Sequence, residues 1–236
     1  MIGLILAAGK GSRLGQHTTD LPKSLLPLNA DGTLLDYNIK ILHQLKVDRI
    51  VIVTGFNTQK IEDHIQKYDD VSIIYNPFWN VCNVLGSLYM ALQKIDEDFL
   101  FLHADTIVEQ SVWEKMKEHP GEIVMPYKRK VCGEEEMKVV IDEAGNLLEI
   151  NKTMDAAGSD GEFLGIAKFS KTILPDFISI AKQLFMTGKL DFYMEAAVQE
   201  AIDAKMDIKA FDIGEAKFVE VDFEEDYLLA KDIFKA

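Results

Sequence analysis

Short apolar runs alternate with helical periodicities through the first half of the chain. The runs IGLILA (2–7), RIVIVTG (49–55), VSIIY (71–75) and FLFLHAD (99–105) are rich in Ile, Val and Leu. They lack polar alternation, which is the pattern of strands buried on both faces. Between them, Leu35, Ile39, Leu42 and Leu45 step by four, three and three, the stripe of an amphipathic helix. Ile61 and Ile65 mark a second helix with Asn57 as its N-cap, and residues 85–92 mark a third. Ser111 and Glu114 form a capping-box pattern for a fourth helix, around residues 112–117. Strand and helix in alternation predict a parallel sheet covered by helices.

The middle of the chain reads differently. EIVMPY (122–127), MKVVID (137–142), NLLEIN (146–151) and EFLGIAKFS (162–170) follow one another as strands with little helix between them. DEAGN (142–146) reads as a hairpin turn and DAAGSDG (155–161) as a loop. Helical signal returns at 172–186 and 192–204. Two strands, 207–213 and 217–222, then precede a closing helix that runs to Phe234. The expected fold class is α/β, a mostly parallel sheet with helices on both faces and an antiparallel elaboration in the middle. One domain over residues 1–236 is expected, with 120–170 as its antiparallel lobe.

Composition narrows the partners. With 48% hydrophobic residues among 236, the chain can build a sizeable core. A formal net charge of −14 repels nucleic-acid backbone and anionic membrane surface, so neither is expected as a partner. Cys82 and Cys132 lie fifty residues apart, without zinc spacing or disulfide density, and read as free thiols. Only about seven apolar residues precede the first glycine loop, too few for a signal h-region, and no run approaches the ~20 residues of a membrane span. A cytoplasmic protein is expected.

Against this acidic background, LILAAGKGSRLG (4–15) gathers glycines and cations directly behind the first strand. The charges within residues 1–30 are Lys10, Arg13, Asp20 and Lys23, a local excess of +2. Glycines let backbone N–H groups approach the oxygens of an anion, and the cations favour its charge. The spacing fits neither the P-loop nor the dinucleotide fingerprint. The segment LAAGKGSRL followed by LPKSL resembles the nucleotidylyltransferases that activate phosphorylated small molecules with a nucleoside triphosphate. The resemblance continues through HAD (103–105) and FVEVDFEEDYLLAKD (218–232), and departs at Gly15-Gln16-His17, where sugar-1-phosphate members usually carry a proline.

The resemblance implies a Rossmann-like, GT-A-type fold and an Mg2+-dependent reaction. An acceptor phosphate or phosphonate oxygen attacks the α-phosphorus and expels pyrophosphate, so catalysis reduces to alignment and charge neutralisation. Lys23 and Arg13 match the family's catalytic cations, with Lys10 a weaker candidate for the leaving pyrophosphate. Leu6, Ala8, Gly9, Gly11, Ser12 and Arg13 match the nucleotide-binding segment. Asp105 and Asp222 match the two metal carboxylates; His103 reads as strand filler. Asp222 and Glu225 also form a capping-box pattern for the last helix.

Asn83 and Ser87, in YNPFWNVCNVLGSLYMAL (75–92), resemble the base-binding stretch of cytidylyltransferases acting on phosphocholine or aminophosphonates, which points to CTP. Lys138, Lys152, Glu162 and Asp191 are the acceptor-site candidates, with Glu134 to Glu136 and the aromatics after Asp191 available to an ammonium group. Two other readings stay open: a sugar-1-phosphate nucleotidylyltransferase using UTP, dTTP or GTP, and a catalytically silent nucleotide-binding regulatory module. A homodimer is open too.

Overall fold

The computed structural model describes residues 1–30 and 32–234. The chain opens with β1 (Ile2–Ala7), a kinked 3-10 segment (Ser12–Thr18) and a 3-10 turn (Lys23–Leu25). There follow β2 (Pro27–Asn29), β3 (Gly32–Thr33), α1 (Leu34–Gln44), β4 (Ile50–Thr54), α2 (Thr58–Ile65), β5 (Val71–Tyr75) and α3 (Val84–Leu92). The middle holds β6 (Phe99–His103), β7 (Thr106–Val108), α4 (Gln110–Glu118), β8 (Ile123–Arg129), β9 (Lys138–Ile141), β10 (Leu147–Asn151), β11 (Gly161–Phe163) and β12 (Ile166–Phe169). α5 (Leu174–Phe185), α6 (Met194–Asp203), β13 (Ile208–Asp212), β14 (Phe218–Glu220) and α7 (Glu224–Ile233) complete it.

Ten of these strands form one sheet in the order β10-β9-β11-β8-β12-β6-β1-β4-β5, with β13 added beside β8. β6, β1, β4 and β5 run parallel. β12 joins them antiparallel to β6 and hands over to the antiparallel β8, β11, β9 and β10. The fold is thus the expected α/β one, parallel where strand alternates with helix and antiparallel in the middle. Every residue of β1 and β4 is buried, as their unbroken apolar runs require. At Gly3 a Cβ would lie 2.6 Å from Leu42 Cδ1, so α1 rests directly on the sheet, and a larger residue there would have to push the Leu42 side chain aside. The two halves are joined by Phe99 and Phe169, register partners whose rings stack 4.8 Å apart.

A second, smaller cluster binds the end of the chain to its beginning. Leu14, Leu26, Leu28 and Leu34 pack with Ile107, Val219, Val221, Tyr227 and Ala230. Tyr227 also donates its hydroxyl to the Pro27 carbonyl at 2.7 Å. The cluster holds the β7–β14 pair, and with it residues 220 to 222, against the loop that follows β1.

Several local expectations change. The strand expected over 99–105 ends at His103; the chain turns at Ala104 and Asp105 and re-enters as β7. The run 162–170 divides at Gly165, whose φ of 74° bends the chain between β11 and β12. Ser111 lies inside α4 and donates to Glu109, the actual N-cap residue. Asn57 occupies the N-cap position of α2, but its amide donates to the Asp20 carbonyl instead of capping. At α7 the capping carboxylate is Asp226, which accepts from the N–H groups of Asp222 and Phe223 at 3.1 and 2.7 Å. Asp222 is thereby left free of that duty.

Candidate active site

The carboxyl ends of β1 and β6 open into a cleft of about 650 Å³, continuous in its lining with a second hollow of about 250 Å³. Leu6, Gly9, Arg13, Asp105 and Asp222 border both. Ligands of open α/β sheets sit at such strand ends.

At the floor lies Lys23. Its ammonium is 2.6 Å from Asp105 Oδ2 and 2.7 Å from Asp222 Oδ1, and donates to the Val221 carbonyl at 2.6 Å. Burial opposes the charge of Lys23, yet Asp105 and Asp222 together hold its pKa above the ordinary lysine value. Burial likewise works against the Asp105 carboxylate, and Lys23 and His103 keep its pKa below the usual range. Asp222 spends its second oxygen on Arg13 Nη1 at 2.9 Å. Residues 13, 23, 105 and 222, widely spaced in the sequence, therefore meet in one charged knot.

The glycine loop is shaped around that knot. Gly11 takes φ 66°, and a Cβ there would lie 2.9 Å from Lys23 Cβ. The Thr18 hydroxyl pins the loop by donating to the Gly11 carbonyl at 2.7 Å. Above Gly9 a Cβ would meet nothing within 4 Å, which leaves this backbone open to the cleft. Ala8 borders the larger hollow, and Gly11, Ser12 and Lys23 the smaller. Lys10 faces away, its ammonium 5.4 Å from the Phe56 ring centroid.

Asn83 and Ser87, at the start of α3, line the larger hollow with Trp79 and Cys82. The Asn83 side-chain oxygen accepts from the Val84 N–H at 2.8 Å and caps the helix. Ser87 is buried and accepts from Asn76 Nδ2 at 3.0 Å. On the opposite wall, Glu162 pairs with Lys130 at 3.1 Å; burial pushes its carboxyl up in pKa, while Lys130 draws it back. Lys152 lies 5.1 Å from the Tyr193 ring centroid.

Two acceptor-site candidates do not reach the cleft. Lys138 is 2% exposed, and its ammonium donates to the carbonyls of Glu134, Glu136 and Lys152 at 3.2, 3.3 and 2.8 Å. Those three carbonyls make it a brace for the lobe, because a buried ammonium must satisfy its donors. Asp191 is exposed outside the lining, and its carbonyl accepts from Asn83 Nδ2 at 3.4 Å. Cys82 and Cys132 are both free thiols.

Beside Asp105 the structure places Glu220 and Glu195, which the resemblance does not single out, and His103, which the sequence reads as strand filler. His103, Asp105 and Glu220 bring ligand-capable atoms within 4.8 Å of one another. His103 Nδ1 lies 3.9 Å from Glu220 Oε1, while His103 Nε2 and Asp105 Oδ1 are buried with no hydrogen-bond partner among the described residues. Glu195, on α6, is also buried at the cleft, and burial raises its pKa against the pull of His103. Period two along the strands expected over 99–105 and 217–222 could have found two of these, since it pairs His103 with Asp105 and Glu220 with Asp222, although in the structure both strands end before the aspartate.

A buried carboxylate oxygen without a donor, at the wall of an acid-rich hollow, suits a hard divalent cation. Asp105 offers such an oxygen, and Mg2+ needs only one or two carboxylates when phosphate oxygens and water complete its shell. The residues present fit the ion.

Comparison with known proteins gives the family and the fold. A family described as the MobA-like NTP transferase domain matches residues 3–162. The chain is 25% identical to the CTP:phosphoglutamine cytidylyltransferase of Campylobacter jejuni, with 96% of this chain and 97% of the relative aligned. Among solved structures, the CTP:phosphocholine cytidylyltransferase of Streptococcus pneumoniae superposes with a TM-score of 0.81 at 21% identity, covering 99% of both chains. The inositol-1-phosphate CTP transferase of T. maritima does so with a TM-score of 0.81 at 22% identity, over 100% of this chain and 97% of the other. No helix among the described residues is long and apolar enough to cross a membrane.

Proposed function

Because the chain belongs to the MobA-like NTP transferase family, a family of nucleotidyltransferases, we propose that it moves CMP from CTP to a small phosphorylated or phosphonate acceptor. The acceptor oxygen forms a bond to the α-phosphorus, the bond between that phosphorus and the bridging oxygen breaks, and pyrophosphate leaves with the electron pair. The cytidylyltransferase names of relatives aligned along nearly the whole chain support CTP as the donor.

The observation that carries the reading is the Lys23 ammonium, held by two carboxylates at the floor of a cleft that also contains the glycine loop. Two polyanions must meet for this reaction, and their approach is opposed by charge in a protein of net −14. Lys23 keeps its proton, so it serves as a fixed positive charge and hydrogen-bond donor, with no role as a base. Arg13 presents a planar fork suited to phosphate oxygens, and is loosely enough held, 47% exposed, to turn from Asp222 to a ligand. Asp105 and Asp222 would hold Mg2+, which when bound neutralises triphosphate charge and polarises the α-phosphoryl group. The backbone from Ala8 to Ser12 borders the nucleotide, and Asn83 and Ser87 flank the end where a base fits. Glu162 and Lys152 belong to the acceptor side.

Pyrophosphate release across CTP, UTP, dTTP and GTP, each with a panel of phosphorylated and phosphonate acceptors, tests this reading. Release with CTP and a non-sugar acceptor is expected. Release only with a sugar 1-phosphate and another triphosphate would make the chain a sugar-activating enzyme, and release with no pair would make it a silent nucleotide-binding module.

A further inference from the structure

Glu195 takes no part in the transfer chemistry, yet it lines the cleft and is only 4% exposed. It sits in the first turn of α6, where the other buried positions are Met194, Ala197, Val198 and Ala201. Its Oε2 atom is buried with no hydrogen-bond partner among the described residues. Burying a carboxylate oxygen without a donor is unfavourable, and native structures rarely leave one so unless a ligand supplies the donor.

The other glutamates of the cleft are engaged. Glu162 and Glu136 share the Lys130 ammonium at 3.1 and 3.0 Å. Glu135 lies 4.0 Å from Arg13, and Glu220 lies 3.9 Å from His103. Glu195 borders the larger hollow but not the smaller one that holds Gly11, Ser12 and Lys23, so it stands away from the reacting end.

Aromatic faces offer an amino group a second kind of site, and a quaternary ammonium, which has no N–H, depends on them. Two of the cleft's aromatic rings already carry a cation: Lys152 lies 5.1 Å from the Tyr193 ring centroid and Arg13 5.6 Å from that of Phe223. What Glu195 Oε2 lacks is a hydrogen-bond donor, which an N–H group supplies and a quaternary ammonium does not.

Building on the cytidylyltransferase reading above, we propose that Glu195 selects the acceptor, and that the acceptor carries an N–H-bearing group, a primary ammonium, at the end remote from its phosphate or phosphonate. A quaternary ammonium at that end is excluded from the favourable contact.

Phosphoethanolamine and phosphocholine differ only in three N-methyl groups, and calorimetric titration of each into the protein with Mg2+ and a non-hydrolysable CTP analogue reads the preference. Phosphoethanolamine should bind at least about 10-fold tighter, the scale of one charge-assisted hydrogen bond. In Glu195→Gln the two affinities should come within about 3-fold of each other, with the analogue bound as in the wild type. Equal or tighter binding of phosphocholine, a preference that survives in Glu195→Gln, or binding of neither compound overturns the assignment. If Glu195→Gln does not fold, the wild-type pair alone decides. If the CTP analogue fails to bind, the transferase reading falls, and the same two titrations without it still test Glu195.

Discussion

Lys23 passes directly over Gly11, and the two positions depend on each other. Gly11 sits at φ 66° with a prospective Cβ 2.9 Å from Lys23 Cβ, so an alanine there strains the backbone and pushes the lysine stem aside. Left-handed backbone costs a non-glycine residue about 1–2 kcal/mol. In a chain of this size that corresponds to a fall in Tm of about 2–8 °C. A displacement near 1 Å at the reacting centre lowers turnover by roughly 10²-fold. Gly11→Ala should therefore lose far more kcat than stability, as paired calorimetry and initial-rate measurements would show; an unchanged kcat would separate the glycine from the lysine. Arg13 and Lys23 stood out because they fall in the dense motif behind the first strand, and Asp105 and Asp222 because HAD and FVEVD continue the resemblance. Glu195 did not, since it lies in an ordinary-looking amphipathic helix, and Glu220, two residues before Asp222, was passed over inside a segment that carries the resemblance. The signal was nonetheless there for Glu195: it stands three residues before Val198, on the buried face of its helix. Lys138 is the opposite case. Its residue type suits a phosphate, but only the fold reveals three carbonyls already bound to its ammonium.

Elements were read well where periodicity is long and poorly where a single side chain sets a boundary. The strands β1, β4 and β6 follow from apolar runs that must be buried, and α1 from its stripe of leucine and isoleucine; β5, also expected to be buried, is the edge strand, with Ile74 alone of its five residues buried. Caps were harder, because several Ser, Thr, Asp and Asn residues compete near each helix start. At α1 the winner is Thr33, whose hydroxyl accepts from the Asp36 N–H at 3.2 Å while Asp36 accepts from the Thr33 N–H at 2.9 Å. Asp36 is also bonded by Tyr68 at 2.8 Å and approached by Lys67 at 2.7 Å and His64 at 2.9 Å. Burial works to raise its pKa, but Lys67, Thr33 and Tyr68 outweigh it and hold the carboxyl well below the usual aspartate value. A carboxylate with a lowered folded pKa stabilises the fold above its unfolded pKa near 4, and that contribution disappears as pH falls through the folded value. Asp36→Asn should accordingly cost about 1–3 kcal/mol at pH 7, and the gap from wild type should narrow progressively below about pH 4. Urea unfolding at a series of pH values checks the sign; a gap that widens in acid would refute it.

Across the whole molecule, the site exists because the two ends of the chain are brought together. Residues 9 to 23 supply the loop and the cations, β6 delivers Asp105, and β14 with the turn after it delivers Glu220 and Asp222. The small cluster around Val221 and Tyr227 holds that closing segment beside the opening one. Sequence periodicity predicts the strands but not this juxtaposition, which rests on the antiparallel pairing of β7 with β14. Charge explains why it matters: a chain of net −14 admits two anionic substrates only where its cations are concentrated. The most direct test is the rate of CMP transfer from α-labelled CTP to an accepted acceptor, in the wild type and in Lys23→Ala. Removing one preorganised donor to a developing charge costs about 10²–10³-fold in kcat. A loss of that size with the circular dichroism spectrum unchanged is the predicted result, and a rate in Lys23→Ala within a few-fold of wild type would contradict the account.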